Sequence, residues 1–326
     1  MPAELTATLA IALALAACQT RSVLPAPYDA SATPARRDPW VVDVPPPSDD
    51  PPGLNERHRF AEAACPRVVK PYFFRVEKAG RVSYLLGTRH VSVPLAKLPA
   101  AVSEHARGAK LAVFEVAPGE PSTTRAPPID LDQAVGPALW KHYNELVGST
   151  MAGALRHGRP AMAYLTALIE YEDPSALLDG ELERAVADAH VKARGLESAQ
   201  FQSDTIDSLL DVRALRAMIQ TTKDRDELEQ ESAEDLAKYC AGDDDHAGLT
   251  DKERAKALSA GYTARELDDQ DKVVVFDRNA KWIPELVPIL DAGNAFIAVG
   301  ADHLKGPHGV VALLHARGYT ITRVTE

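Results

Sequence analysis

Two stretches decide how this chain of 326 residues folds: RVSYLLGTRH at 81–90 and AFIAVGADH at 295–303. Each is an apolar run of strand character that stops on a glycine, Gly87 or Gly300, and places a histidine three residues later, His90 or His303. A Gly-x-x-His spacing alone is weak evidence. The flanks strengthen it, because the same order of elements follows both. After the first come the helical LPAAVSEHARGA (98–109) and the apolar KLAVFEV (110–116); after the second come GVVALLHARG (309–318) and YTITRV (319–324). HARG itself recurs, at 105–108 and 315–318. This is an internal duplication of strand, Gly-x-x-His, helix and strand.

Upstream of the first motif, YFFRVEK (72–78), the pair Ala79-Gly80 and RVSYLLG (81–87) alternate and punctuate as a β-hairpin. Between about 130 and 288 the period changes. Segments such as DQAVGPALWKHYNELV (132–147), SALLDGELERAVADAHVKARG (175–195) and TIDSLLDVRALRAMIQTT (205–222) repeat apolar residues every three or four positions, with Asp and Glu on the outer faces. The expected fold is therefore α/β. A central mixed sheet is built from both ends of the chain, in two related halves, with a large helical insertion between about 130 and 288.

Composition sets the class. With 45% hydrophobic and 25% charged residues the chain can bury a sizeable core, and a net charge of −11 provides no basic stripe, so no nucleic-acid partner is expected. The apolar LTATLAIALALAAC (5–18) is too short to span a bilayer and resembles a bacterial lipoprotein export signal, cut before Cys18, which is then acylated. Glu4 departs from that pattern, standing where Lys or Arg is usual. Residues 1–17 are thus expected to be a signal peptide, 18–62 a Pro- and Asp-rich disordered tether, and 63–326 the folded domain. The expected location is the bacterial cell envelope, reached by a lipid anchor only. Gln19 suits the outer membrane, facing the periplasm or the surface. In that oxidising setting Cys65 and Cys240 either pair or stand as separate thiols.

The candidate chemistry lies at strand ends. A glycine there lets the backbone turn, so that His90 and His303 project into the crevice at the carboxyl end of the sheet, where open α/β sheets bind ligands. Glu115 ends a third apolar strand, and a carboxylate among Leu, Ala, Val and Phe needs a positive charge or a metal beside it. Two imidazoles and a carboxylate suit Mn, Fe, Co or Zn. Asp302 and His308 are near enough in sequence to support His303, while Thr88 and Arg89 flank His90. Arg89 reads equally well as a surface charge. Taken singly, each histidine reads as well as a satisfied structural residue.

These residues, with RPAMAYLTALIEY (159–171), the GLE at 195–197 and the DRNAKWIPEL run (277–286), resemble the TraB/GumN family, to which the animal Tiki proteases look related. The resemblance covers about 63–324. It implies that His90 and His303 are metal ligands, that Glu115 is the shared acidic residue, and that Arg278 and Asn279 form a polar pair serving the site. Glu197 matches the recurrent GLE. Three positions depart from the pattern: Arg89 stands for an aliphatic or Met residue, Asp302 for a glycine, and Val116 for an aspartate. The implied activity is that of a metal-dependent hydrolase, a peptidase, acting on a peptide or protein substrate. Glu115 serves as ligand or as general base, and Arg278 as oxyanion partner or carboxylate anchor. HExxH and Gly-x-Ser-x-Gly are both absent. The alternative is a lipoprotein that binds a metal or a metal-containing ligand in the same pocket without turnover.

Overall fold

The computed structural model describes residues 53–65, 69–121 and 125–325. The signal segment, Cys18 and most of the tether lie outside the described residues. The last part of the expected tether is helical. Helix α1 (Leu54–Ala64) begins with the Glu56 carboxylate accepting from the Gly53 N–H, and it is held down by the ion pair Arg57–Glu170 at 2.5 Å and by a hydrogen bond between His58 Nδ1 and Asp173 at 2.9 Å. Both partners lie more than a hundred residues away, so local sequence carries no sign of this docking.

The hairpin of β1 (Tyr72–Lys78) and β2 (Arg81–Thr88) closes Lys78 against Arg81. Ala79 and Gly80 have φ of 49° and 75°, the left-handed pair that a two-residue hairpin turn requires. Alanine is strained there, and Ala79 is exposed. Ala79→Asn is expected to raise stability by about 1 kcal/mol, read as a higher urea midpoint at unchanged slope.

Helix α2 (Ala100–Gly108) connects β2 to β3 (Leu111–Val116). Near the other end of the chain, β7 (Ala295–Gly300) leads through α14 (Val310–His315) to β8 (Thr320–Arg323). The six strands lie in the order β6-β3-β7-β2-β1-β8, with β1 antiparallel to both its neighbours and the other pairings parallel. The sheet is thus mixed and drawn from both ends of the chain. The two motif strands, β2 and β7, are central neighbours in register Thr88↔Gly300, so GTRH and GADH leave the sheet side by side. β7 is buried along its whole length, as a central parallel strand must be.

The helical insertion is not continuous. Within it, β6 (Lys192–Glu197) joins the sheet as an edge strand paired to β3, although this stretch was expected to be helical. Its sequence KARGLE has no apolar run, and only pairing with β3 makes it a strand. Before it stand a minor ribbon of β4 (Ile129–Asp130) and β5 (His157–Gly158), and helices α3 (Leu131–Val135), α4 (Pro137–Val147), α5 (Ser149–Leu155), α6 (Pro160–Ile169) and α7 (Leu178–Asp188). After it come α8 (Ala199–Leu209), α9 (Val212–Thr221), α10 (Arg225–Ala241), α11 (Asp251–Ser259), α12 (Ala264–Asp271), a π-helical turn (Lys272–Phe276) and α13 (Asp277–Ala292).

Two apolar cores result. One packs on the sheet around Phe73, Leu86, Phe296 and Trp282; the other lies among the helices around Tyr143, Tyr164, Leu215 and Leu267. Val275 belongs to the helical core and Trp282 to the sheet core, so the start of α13 falls on their seam. A disulfide between Cys65 and Cys240, with Cα atoms 5.8 Å apart, ties the segment before β1 to the end of α10. Among the described residues no helix is long and apolar enough to cross a membrane.

Candidate active site

The strands β2, β7, β3 and β6 run in one direction and end together, and their carboxyl ends bring His90, His303, Glu115 and Glu197 to one crevice. Gly87 serves this by close approach and not by a turn, because a Cβ on it would lie 2.9 Å from both the Ala301 Cα and the Tyr72 Cβ. Gly300 likewise has an ordinary negative φ of −51°. The glycine expected to bend the chain instead lets the two motifs pack against each other.

Arg278, in the first turn of α13, is the hub. It is 1% exposed, so its charge is met by protein groups and not by solvent. Its Nη2 donates to Glu115 Oε2 at 2.7 Å and Glu197 Oε1 at 2.5 Å, its Nε to Glu197 Oε2 at 3.0 Å, and its Nη1 to the Val274 carbonyl at 3.1 Å. The last bond reaches back into the π-helical turn, a feature often found beside functional sites. Glu197 also accepts from the Trp282 indole N–H at 3.2 Å.

Glu115 is buried, and both its oxygens are engaged. Oε1 accepts from the Gly300 N–H at 2.7 Å, and Oε2 from Gln202 at 2.9 Å as well as from Arg278. Burial works to raise its pKa, but Arg278, His303 and His90 together outweigh that and hold it at about 2. Glu197 shifts the other way: burial, reinforced by Glu115, lifts its pKa despite Arg278.

The protonation of His303 follows from its neighbours. Asn279 Nδ2 donates to the carbonyls of His303 and His308 at 3.1 and 3.0 Å, so the Asn279 oxygen is the acceptor that faces His303 Nδ1 at 2.7 Å. His303 therefore carries its proton on Nδ1, and the Nε2 lone pair faces Arg278 Nη1 at 3.0 Å and Glu115 Oε1 at 3.7 Å. Burial, then Arg278, keep the ring neutral, with a pKa of about 3. His90 is built the same way. Its Nδ1 meets the Asp179 carboxylate, while Nε2 is buried without a partner. Burial opposes protonation of His90, and Asp179 overrides it and raises the pKa.

The remaining expectations resolve differently. Asp302 pairs with Lys305 at 2.9 Å, and the His308 ring leans on Phe276 at 4.9 Å, so what bonds His303 Nδ1 is Asn279. Arg89 is not a surface charge: it is 8% exposed and donates to Glu172 at 2.6 Å. The histidine of the first HARG, His105, stacks on Tyr84 at 3.5 Å and belongs to the packing. Asp179 and Gln202 complete the site, and nothing in their local sequence marks them. Their partners lie 89 and 87 residues away, beyond any local pattern.

The donor chemistry fits a divalent cation: two imidazoles with Nδ1 tied to an oxygen acceptor, one Nε2 orphaned in a buried position, and an ionised carboxylate. Among the described residues, however, no three His, Cys, Asp or Glu side chains are gathered closely enough to hold an ion, and the Arg278 guanidinium bonds both His303 Nε2 and Glu115 Oε2.

A pH dependence follows. His303 takes up a proton near 6.5 when unfolded but only near 3 when folded, and Glu115 near 4.5 against about 2. In both cases the unfolded chain binds the proton first. Their stabilisation is complete above those unfolded values and is lost as pH falls, from about 6.5 to 3 for His303 and from about 4.5 to 2 for Glu115. His303→Gln is expected to flatten the fall of Tm between pH 6.5 and 4.5, where Glu115 contributes little. An unchanged slope in a pH series of melting curves would refute this.

The fold and the cluster define the class: a mixed α/β protein with a buried charged site where four parallel strands end. Residues 72–323 match the TraB/PrgY/gumN family, and the chain belongs to it. No curated protein and no solved structure matches the chain.

Proposed function

We propose that this chain is a metal-dependent hydrolase acting on peptide bonds, with a Mn, Co, Zn or Fe ion that His90, His303 and Glu115 would hold once drawn closer together than they stand here. The observation that carries the reading is the pair of buried imidazoles, each with Nδ1 tied to an oxygen, with His90 Nε2 free of any partner and His303 Nε2 facing Arg278. When bound, such an ion polarises a substrate carbonyl and acidifies a water. Glu115, held ionised, suits a ligand better than a proton acceptor. Glu197, shifted upward, is the carboxylate better matched to taking a proton. Arg278 supplies a fixed positive charge suited to a developing oxyanion. Lipidation at Cys18 would keep the domain at the cell envelope, with peptides or proteins there as substrates.

Metal content of the purified protein tests the reading, with His90→Ala and His303→Ala alongside. About one equivalent in wild type and at least tenfold less in either variant is expected; equal content in all three refutes a shared site. Cleavage of a peptide library with added Mn or Co then separates the activities. One bound equivalent without cleavage would instead indicate a binding lipoprotein.

A further inference from the structure

The middle residues of the two motifs line a small pocket of their own. Thr88 and Arg89 come from the first motif, Ala301 and Asp302 from the second, and Tyr239 and Lys305 help to close it. Thr88 is fully buried and Arg89 is 8% exposed. Thr88 Oγ1 and Arg89 Nε both lack a hydrogen-bond partner, although Arg89 Nη2 is engaged by Glu172. Buried polar groups left unpaired are destabilising, so two from consecutive residues in one pocket call for an explanation.

The other polar groups of the pocket are satisfied. Lys305 donates to Asp244 at 3.0 Å and to Asp302 at 2.9 Å, and the Tyr239 hydroxyl donates to the Gly87 carbonyl at 3.0 Å. Asp235 also lines the pocket and its charge acts on Arg89, yet Thr88 Oγ1 and Arg89 Nε remain without a hydrogen bond. An arginine Nε–H can only donate, and a threonine hydroxyl supplies a second donor. Two donors from adjacent residues, one of them on a guanidinium, match the two oxygens of a carboxylate. The pocket also lies close to the histidines. Thr88 and Ala301 are each two residues from a motif histidine, at most about 7.6 Å between Cα atoms, and one extended residue of substrate spans about 3.5 Å.

We propose that this pocket captures the free C-terminal carboxylate of a peptide, so that the site acts at the C-terminal end of its substrates. The proposal rests on the peptidase reading given above.

Calorimetric titration of the full chain with acetyl-trialanine, as the free acid and as the amide, tests it, with acetate as a third probe. The acid is expected to bind about tenfold or more tightly than the amide. Thr88→Val and Arg89→Lys should each bring that ratio towards one. Thr88→Val deletes an unpaired buried hydroxyl, so its Tm should rise by about 2–4 °C while selectivity falls, a combination that a merely structural Thr88 would not produce. Equal binding of acid and amide overturns the proposal, as does a ratio that both folded variants leave intact. Acetate binding as tightly as the peptide acid also overturns it, by making the pocket a general site for small anions. If both peptides are cleaved equally well, the carboxylate pocket is wrong and the peptidase reading stands. Acid-selective, Thr88-dependent binding without cleavage has the reverse meaning.

Discussion

Arg278→Met should lower stability at pH 7 by about 3–5 kcal/mol, because it leaves Glu115 and Glu197 buried together without their cation. For a domain of this size that corresponds to a fall in Tm on the order of 10 °C. The size of the effect comes from what remains after the substitution. Two carboxylates whose side chains are 8% and 6% exposed must then either stay charged and unpaired or take up protons. This has a signature in pH. Both carboxylates protonate more readily in the variant, so the gap in Tm between wild type and Arg278→Met should narrow from pH 7 to pH 4. A gap that stays constant would mean that the cost is one of packing. Arg278→Lys keeps the charge but cannot bridge Glu115, Glu197 and the Val274 carbonyl at once, so it should fall between the two.

Loss of the disulfide is the second large effect. Cys65 and Cys240 are 175 residues apart in sequence, and the crosslink removes much of the freedom of the unfolded chain. The chain-entropy relation gives about 5 kcal/mol for a loop of this length, and removal of native disulfides usually costs about 2–5 kcal/mol. Cys65→Ser with Cys240→Ser should therefore lower the urea midpoint markedly, and reduced wild type should approach the same value. The backbone beside the bridge is also paired, Lys70 N–H to the Cys240 carbonyl at 3.0 Å, so the bridge stands on a junction that is already formed. A double variant that matches oxidised wild type would show that this junction holds without the covalent link.

Much of the fold was legible along the chain because it is written in local period. The hairpin at 72–88, the two apolar runs ending in Gly-x-x-His and the helical spacing between them each depend on neighbours a few residues apart. His90, His303, Glu115, Arg278, Asn279 and Glu197 were legible too, some from strand ends and the others from the resemblance. β6 was not, since KARGLE is polar and follows a helix directly. It becomes a strand only because β3 offers an edge to pair with.

The sequence by itself determined that two like motifs end two buried strands, because apolar alternation and a small residue at each strand end are properties of short segments. Only the tertiary structure decided what those motifs face. Asp179 and Gln202 reach the site from helices far along the chain, Asn279 sets the tautomer of His303, and Arg278 is drawn in by two glutamates from neighbouring strands. The protonation states that make the site chemically distinct arise from these long-range contacts in a buried setting, where a charge or a lone pair is defined by what lies within about 3 Å of it and not by its neighbours in sequence.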